Sequence, residues 1–194
     1  EEEEINRLRP VLSLLKKTFQ DVVFSVDTFR SQVALLAYSE GAEIINDISG
    51  GQFDEKMFET VAKLKMPYIL MHMQGTPQTM QLNPVYTNVV TEIAAFFSNK
   101  INRLKELGCN DILLDPGFGF GKTLEHNYLL LNHFSHFKMF GLPLLAGVSR
   151  KSMIGKIIGK QPDASLNGTT VCNTIALMNG AKIVRVHDVK EAVE

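Results

Sequence analysis

Short apolar runs alternate with longer amphipathic segments along the whole chain of 194 residues. The runs are rich in Val, Ile and Leu, as the strands of a parallel sheet buried on both faces are. The predicted strands are residues 22–27, 43–47, 67–72, 111–115, 143–149 and 182–187. A segment with the apolar spacing of a helix lies beside each run, and this alternation indicates β-α-β units with a parallel sheet.

Helical patterns occupy the segments between these runs. The predicted helices are residues 1–15, 31–40, 55–65, 88–107, 127–137 and 167–179, with a further one opening through Met153. Gly41, Gly108, Gly141 and Gly180 each fall just after a helix. Glycine at that position indicates a left-handed C-cap, a conformation that other residues enter at a cost.

Every predicted strand ends in residues that a buried strand avoids. These strand-end residues are Asp27, Asn46, Asp47, His72, Asp115, the triplet Ser149 to Lys151, Arg185 and His187. One polar strand end has an ordinary explanation, as a helix cap or a solvated loop residue. Six of them in register fall at the carboxyl edge, where barrel and open α/β enzymes hold their active sites. We therefore predict a site lined by carboxylates, amides and cations.

The length and the repeat size favour a barrel over an open sheet. Six strand–helix units of about 30 to 35 residues fill the chain, whereas a complete (β/α)8 barrel needs about 250 residues. The chain begins in an acidic helix pattern that no strand precedes. We predict an α/β fold, a TIM (β/α)8 barrel with about six of its eight units present, as one domain over residues 1–194 whose first two units lie upstream. A six-stranded doubly wound sheet stays open as the alternative.

Charge and cysteine content narrow the function classes. The formal net charge of −1 gives no bulk attraction for nucleic acid or for an anionic membrane surface. No apolar run approaches the roughly 18 to 20 residues of a membrane span, and no signal-peptide pattern is present. Cys109 and Cys172 lie far apart in the sequence and suit a reducing compartment. These features predict a cytoplasmic protein without nucleic-acid or membrane partners, in which a local basic cluster holds any bound anion.

The segment 114–123 carries the densest motif of the chain. It resembles a phosphate-binding P-loop at its end, but Pro116 stands where that pattern requires glycine. A dinucleotide-binding GxGxxG pattern fails as well, because the third glycine comes one position early. We expect the glycines to let the backbone pass close to a flat ligand, with Phe118 and Phe120 supplying apolar surface. Asp115 can accept two parallel hydrogen bonds from a pterin or guanine edge, with a carboxylate that caps its own turn as the alternative.

A cationic segment follows the fifth predicted strand. Residues 149–152 place two serines and two cations at a helix start, where exposed N–H groups favour an anion or a carboxylate. The last two strands of barrels commonly carry phosphate sites. Arg185 and His187 would complete a cationic pocket for a diphosphate, and Arg185 can also cover a ring by cation–π contact. Ordinary surface charge is the alternative.

Other polar residues are expected to have ordinary roles. His126, His133 and His136 are predicted to be solvated or capping residues, because no carboxylate partner indicates a metal site. Met71 is expected to pack against a ring or the core. Residues 74–88 are polar and rich in turn formers, which predicts a long loop over the site.

Taken together, six motifs resemble those of the dihydropteroate synthase family, and the resemblance covers essentially the whole chain. The motifs are Ser25-Val26-Asp27-Thr28, Ile45-Asn46-Asp47-Ile48, Met71-His72-Met73-Gln74-Gly75, the glycine-rich stretch 114–122, Val148-Ser149-Arg150-Lys151-Ser152, and Val184-Arg185-Val186-His187-Asp188-Val189. The resemblance implies condensation of a dihydropterin hydroxymethyl diphosphate with 4-aminobenzoate, giving dihydropteroate and diphosphate. It also implies Mg²⁺ as a cofactor, sulfonamides as inhibitors and a homodimer.

The resemblance further implies contacts with the pterin ring. Asp27, Asn46, Asp115 and Lys151 are expected to touch the ring. Loss of diphosphate leaves a cationic methylene group, which a buried carboxylate such as Asp27 would stabilise. The aromatic amine then attacks, so that no side-chain nucleophile is required. Asp27, Lys151 and Arg185 are therefore the expected catalytic residues.

The remaining implied contacts concern the leaving group and the second substrate. Arg185 and His187 are expected to bind the diphosphate, and Phe120, Ser152 and the stem of Lys151 to border the aminobenzoate. Further substrate contacts are implied for Ile48, Met71 and Gly147. The family's first two loops, which carry the metal ligand, have no counterpart here, so no metal ligand is expected in this chain. We expect residues 1–194 to keep much of the pterin pocket and to lack turnover.

Two further functions fit the same motifs. A pterin-binding methyltransferase domain would use a reduced folate and a corrinoid partner in place of the diphosphate. Residues 149–152, with Arg185 and His187, favour the synthase over this function, because a diphosphate requires cations. A pterin-binding relative without catalytic activity is the other possibility.

Overall fold

The computed structural model of the chain describes residues 1–159 and 161–194. Its six strands are β1 Ser25–Asp27, β2 Ile44–Asp47, β3 Tyr68–Met71, β4 Ile112–Asp115, β5 Leu144–Ala146 and β6 Ala181–Val184. They form a sheet in chain order, β1-β2-β3-β4-β5-β6, and the described strand pairs are parallel. A doubly wound sheet reverses its strand order at a switch point. The chain order without reversal therefore confirms the barrel-type β-α-β arrangement and excludes the open-sheet alternative.

Helices connect the strands as the sequence predicts. Their bounds are α1 Glu2–Thr18, α2 Ser31–Ser39, α3 Met57–Leu64, α4 Val89–Glu106, α5 Leu124–Asn132, α6 Ser152–Ile158, α7 Leu166–Met178 and α8 Val189–Val193. Gly41, Gly108, Gly141 and Gly180 have φ values of 89°, 86°, 65° and 104°. These values confirm the left-handed caps, because an L side chain at such φ is strained. No helix within the described ranges is long and apolar enough to cross a membrane.

Some predicted element bounds are wrong. The first strand begins at Ser25 instead of residue 22, and Val22 and Val23 are exposed. The predicted helix 127–137 ends at Asn132, and the 3-10 helix Phe134–Phe140 follows it. Phe134 and Phe137, three residues apart, are both fully buried. The 3-10 helix repeats every three residues, so it places both rings on one face, which an α-helix does less well. The short 3-10 helix Pro162–Ala164 and helix α8 were not predicted.

The backbone divides into two compact units. Unit 1 consists of residues 1–71 and 97–113, and unit 2 consists of residues 72–96 and 114–194. In unit 1, α2 packs on α1 and α3, and β2 pairs with both β1 and β3. Its core includes Val33, Ile45, Val61 and Leu70, all fully buried. The register places Asp27 directly opposite Asn46.

Unit 2 holds β5, β6 and the helices α5 to α8. Helix α7 packs on α5, α6 and β6, and every residue of β5 is buried. Phe118 stacks on Phe134 with 6.0 Å between the ring centroids. The prediction of one domain over residues 1–194 stays a prediction.

Candidate functional site

In unit 2, three charged side chains converge on Gly147, which follows strand β5. A β-carbon placed on Gly147 would lie 3.9 Å from Asp115 Oδ2, from Lys151 Nζ and from Arg185 Cβ. Asp115 ends β4 and is buried, and its Oδ1 accepts a hydrogen bond from the Gly117 N–H at 2.8 Å. Burial raises the pKa of the Asp115 carboxyl, while the neighbouring Lys151 ammonium and the Gly117 N–H oppose that rise. The structure thus brings together four of the predicted site residues.

Lys151 lies against the glycine-rich loop, residues 117–121. Its ammonium donates to the Phe118 carbonyl and stands 4.8 Å from the centroid of the Phe120 ring. Burial lowers the pKa of Lys151 to about 8, with Asp115 raising it and Arg185 lowering it. Lys151 is therefore mainly charged at neutral pH, and cation–π contact with Phe120 favours that charged form.

Two glycines of the glycine-rich loop, Gly117 and Gly121, lie where one backbone segment closely approaches another. A β-carbon on Gly117 would lie 2.0 Å from the His72 carbonyl oxygen, and one on Gly121 would lie 2.4 Å from the Gln74 oxygen. The expectation that these glycines make room for a flat ligand is therefore wrong for both positions. Phe118 is fully buried in the core, so of the two phenylalanines only Phe120 supplies surface at the site.

Lys122 is a buried cation to which the sequence motifs assign no role. Its side chain is nearly inaccessible, and its ammonium donates to the Gly117 and Phe120 carbonyls at 2.8 and 3.0 Å. It also stands 3.2 Å from His72 Nδ1. Burial lowers the pKa of Lys122 to about 7, with Asp115 opposing the shift. Burial likewise lowers the pKa of His72 to about 3, so its imidazole is neutral. The signal in the sequence was the lysine position of the rejected P-loop pattern.

The cations that follow β5 and β6 border a cavity of about 320 Å³. Its lining includes Ser149, Arg185 and His187. The Ser149 hydroxyl accepts from the His187 N–H at 3.2 Å and lies 3.0 Å from His187 Nδ1. This pair fixes the imidazole at the rim of the cavity.

Arg150 is not available for the anion site that the sequence predicts at residues 149–152. Its guanidinium bonds both oxygens of Asp188 and reaches Asp163 at 3.3 Å. Two carboxylates therefore neutralise Arg150, and the Asp188 contact raises its pKa. Ser152 is exposed as the first residue of α6, whose N-cap is Lys151. Of the two adjacent cations, Lys151 is thus the one that faces Asp115 and Gly147.

In unit 1, the ends of β1 and β2 carry a hydrogen-bonded pair. The Asn46 amide donates to Asp27 Oδ1 at 2.7 Å. Asn46 is buried, and its own Oδ1 has no hydrogen-bond partner among the described residues. Asp27 is exposed, so the expectation of a buried Asp27 carboxylate is wrong. The reason is the alternation along the three-residue strand β1, which buries only Val26.

Asp47, the next strand-end carboxylate in unit 1, is engaged by its own surroundings. Its fully buried oxygens accept from the Ser49 N–H and hydroxyl, the Gly51 N–H and the Tyr68 hydroxyl, at 2.7 to 2.9 Å. Asp47 therefore shapes the loop after β2, which begins with the half-buried Ile48. Met71, at the end of β3, is buried.

His126, His133 and His136 are capping or exposed residues, as predicted. His126 forms a reciprocal capping box with Thr123 at the start of α5, and His133 and His136 are exposed. Among residues 1–159 and 161–194, no group of three His, Cys, Asp or Glu side chains is arranged to hold a metal ion.

Residues 74–88 form a loop that is bonded to the glycine-rich loop of the same unit. Gln74 and Val85 close its base with two hydrogen bonds of 2.9 and 3.0 Å. Gln81 donates to the Gly119 carbonyl, and the Tyr86 hydroxyl donates to the Gly121 carbonyl at 2.8 Å. The long loop is thus tied to the segment that carries Phe118 and Phe120.

Comparison with known proteins gives consistent matches. The family model described as pterin binding enzyme matches residues 1–187. The dihydropteroate synthase of Escherichia coli (strain K12) is 46% identical over 195 residues, covering 100% of this chain and 68% of that protein. The dihydropteroate synthase of Haemophilus influenzae is 43% identical over 191 residues, covering 97% of this chain and 69% of that protein.

Solved structures agree with these relatives. A Yersinia pestis dihydropteroate synthase in a sulfonamide drug complex superposes with a TM-score of 0.95 at 47% identity, covering 100% of this chain and 70% of that one. The Xanthomonas albilineans dihydropteroate synthase in complex with 7,8-dihydropteroate superposes with a TM-score of 0.91 at 36% identity, covering 99% of this chain and 71% of that one. The fold class is therefore confirmed as a TIM barrel of which this chain holds six β/α units.

Proposed function

We propose, since this chain belongs to the dihydropteroate synthase family of pterin-binding enzymes, that it is a transferase of folate biosynthesis. It condenses 6-hydroxymethyl-7,8-dihydropterin diphosphate with 4-aminobenzoate to give 7,8-dihydropteroate and diphosphate. The observation that carries this proposal is the convergence of Asp115, Lys151 and Arg185 on Gly147. A carboxylate for the donor edge of a pterin and cations for a diphosphate are what this reaction needs in one place.

Asp115 and Lys151 are proposed to bind the pterin ring. Asp115 Oδ2 faces Gly147, whose missing side chain leaves that side of the carboxylate open. An ionised carboxylate there accepts two parallel hydrogen bonds from the N–H and NH2 of the pterin. Lys151 donates to ring acceptors while its stem and Phe120 border the aminobenzoate. The Lys151 charge favours the ionised form of Asp115, because it opposes the effect of burial on the Asp115 pKa.

Arg185 and His187 are proposed to bind the diphosphate in the cavity of about 320 Å³. The bond from the pterin methylene carbon to the diphosphate oxygen breaks, and its electron pair leaves with the diphosphate. Cations lower the energy of that leaving group by neutralising its charge. The amine nitrogen of 4-aminobenzoate then bonds to the methylene carbon and loses a proton. The protein contributes positioning and electrostatics to this substitution.

Asp27 and Asn46 are proposed to contact the pterin through the ends of β1 and β2. The Asn46 side chain donates to Asp27 through its amide nitrogen, so its Oδ1 is available to accept a hydrogen bond from a ligand. Because Asp27 is exposed, its effect on a cationic methylene requires substrate binding to exclude water first. Ile48, Met71 and Ser152 keep the substrate-lining roles that the resemblance implies.

Four further properties belong to the same proposal. Mg²⁺ is the cofactor that the resemblance implies, but the described residues offer no metal-binding group of three, so no step is assigned to it here. A homodimer is proposed because the family resemblance implies one. Sulfonamide inhibition is supported by the Yersinia pestis relative and its drug complex. A cytoplasmic location is supported by two buried free cysteines.

The proposal is tested by calorimetry and by release of diphosphate. Titration with the pterin diphosphate should show saturable binding, and titration with a reduced folate should show weaker binding. Because residues 1–194 are expected to have little turnover, binding is the main measurement, and any diphosphate that is released should require the pterin diphosphate and 4-aminobenzoate together. Binding of the reduced folate in preference to the pterin diphosphate would indicate the methyltransferase, and absence of pterin binding would refute the assignment.

A further inference from the structure

The ammonium of Lys122 is placed where its charge is costly. The side chain is nearly inaccessible and its nearest described acceptors are two backbone carbonyls and a neutral imidazole. Burial of an ammonium costs several kcal/mol, and a methionine of similar length would fill the same space without that cost. The hydrogen bonds of the charged group are therefore the feature that needs a reason.

These hydrogen bonds fix the two ends of one short turn. Lys122 Nζ binds the carbonyl of Gly117 at 2.8 Å and that of Phe120 at 3.0 Å. It also approaches the His72 backbone carbonyl at 3.5 Å and its ring at 3.2 Å. An ammonium has three donors that can point in three directions, so this one group joins the turn to the residue that follows β3.

The turn in question contacts both proposed pterin ligands of unit 2. The Gly117 N–H binds Asp115 Oδ1 at 2.8 Å. The Phe118 carbonyl accepts from Lys151, and the Phe120 ring lies 4.8 Å from the same ammonium. A shift of the turn would therefore change all three contacts together.

We propose that Lys122 is a positioning residue, which holds the turn 117–120 so that Asp115 and Lys151 keep the geometry that binds the pterin ring. The proposal rests on the proposed function, since it concerns the same substrate. It assigns Lys122 no contact with the substrate. It concerns the ring end of the site and not the diphosphate end, because the hydrogen bonds of Lys122 are made to the turn 117–120 and to His72.

The test compares two probes, 6-hydroxymethylpterin for the ring end and inorganic diphosphate for the other end. Both are titrated by calorimetry into the full chain and into Lys122→Met. We expect the affinity for the pterin to fall at least about tenfold and the affinity for diphosphate to change less than about twofold. Lys105→Met, which removes an exposed lysine of α4, is the matched control and should leave both affinities unchanged.

Two outcomes would overturn the proposal. Unchanged affinity for both probes would show that the turn keeps its position without Lys122. A parallel loss of both affinities would show that Lys122 supports the unit as a whole. If Lys122→Met does not fold, Lys122→Gln retains an amide donor for the carbonyls and allows the same comparison, with a smaller loss for the pterin. Failure of the proposed function is distinguishable, because the unaltered chain would then bind no pterin diphosphate.

Discussion

Replacement of Lys122 by methionine should remove a pH dependence of folding stability. Burial lowers the pKa of this lysine from 10.5 to about 7 in the folded chain. Between those values the folded state has released a proton that the unfolded state still binds. The free energy of unfolding therefore increases as pH rises from about 7 to 10.5, and it decreases as pH falls over the same interval.

The size of the effect follows from the shift. One proton difference changes the free energy of unfolding by about 1.4 kcal/mol for each pH unit. The whole interval from 10.5 to about 7 corresponds to about 5 kcal/mol.

Urea-induced unfolding, followed by circular dichroism between about pH 6 and about pH 9.5, measures this slope. The free energy of unfolding of Lys122→Met is subtracted from that of the unaltered chain at each pH. The difference should be flat below about pH 7 and should grow by about 1.4 kcal/mol per unit above it. Lys151, with its pKa of about 8, titrates in both proteins and largely cancels in the difference.

A flat difference over the whole range would refute this reasoning. It would mean that Lys122 keeps its proton in the folded state, because water or a reoriented carboxylate solvates it. Lys105→Met provides the control for loss of one positive charge at the surface, where the lysine is exposed. A slope as large in that control would show that the effect has no connection with burial.

Four other outcomes are expected. Asp115→Asn should abolish pterin binding in calorimetry, since an amide presents a donor where the carboxylate accepts; retained affinity would contradict its placement. Lys151→Ala should do the same, and in the unaltered chain pterin affinity should decline as pH rises through about 8, where this ammonium loses its charge. Asp47→Ala should lower the free energy of unfolding by about 3 to 5 kcal/mol, and Tyr68→Phe should lower it by only about 1 kcal/mol. Equal losses would mean that the other hydrogen-bond donors to Asp47 do not contribute to stability. Residues 1–194 alone should bind pterin with little diphosphate release, and turnover near that of full-length family members would contradict the expectation.

The strand ends illustrate how far prediction from the sequence reaches. Asp115, Arg185 and His187 could be placed at strand ends because apolar runs of a parallel sheet are easily recognised, and such strands end at one edge. The helix over residues 127–137 could not be placed correctly. The spacing of Phe134 and Phe137 fits both an α-helix and a 3-10 helix, and only their common burial favours the latter.

Charge assignments within the site depended on contacts that spacing does not show. Arg150 and Lys151 are neighbours in the chain, yet Arg150 turns to Asp188 and Asp163 while Lys151 turns to Phe118 and Asp115. Asp188 is 38 residues distant from Arg150. No local pattern reports which of two adjacent cations has a carboxylate partner.

The alternation of apolar runs and helical segments was sufficient to predict a parallel β/α fold, because burial selects strand and helix periodicity locally. The residue types at the strand ends were likewise sufficient to predict a site lined by carboxylates, amides and cations. Burial and approach distances were decided by tertiary structure alone. Glycines 117 and 121 serve contacts between backbones, Asp27 is exposed, and the Lys122 ammonium is buried. Each of these properties depends on what packs against a residue from distant parts of the chain, and no local pattern encodes that.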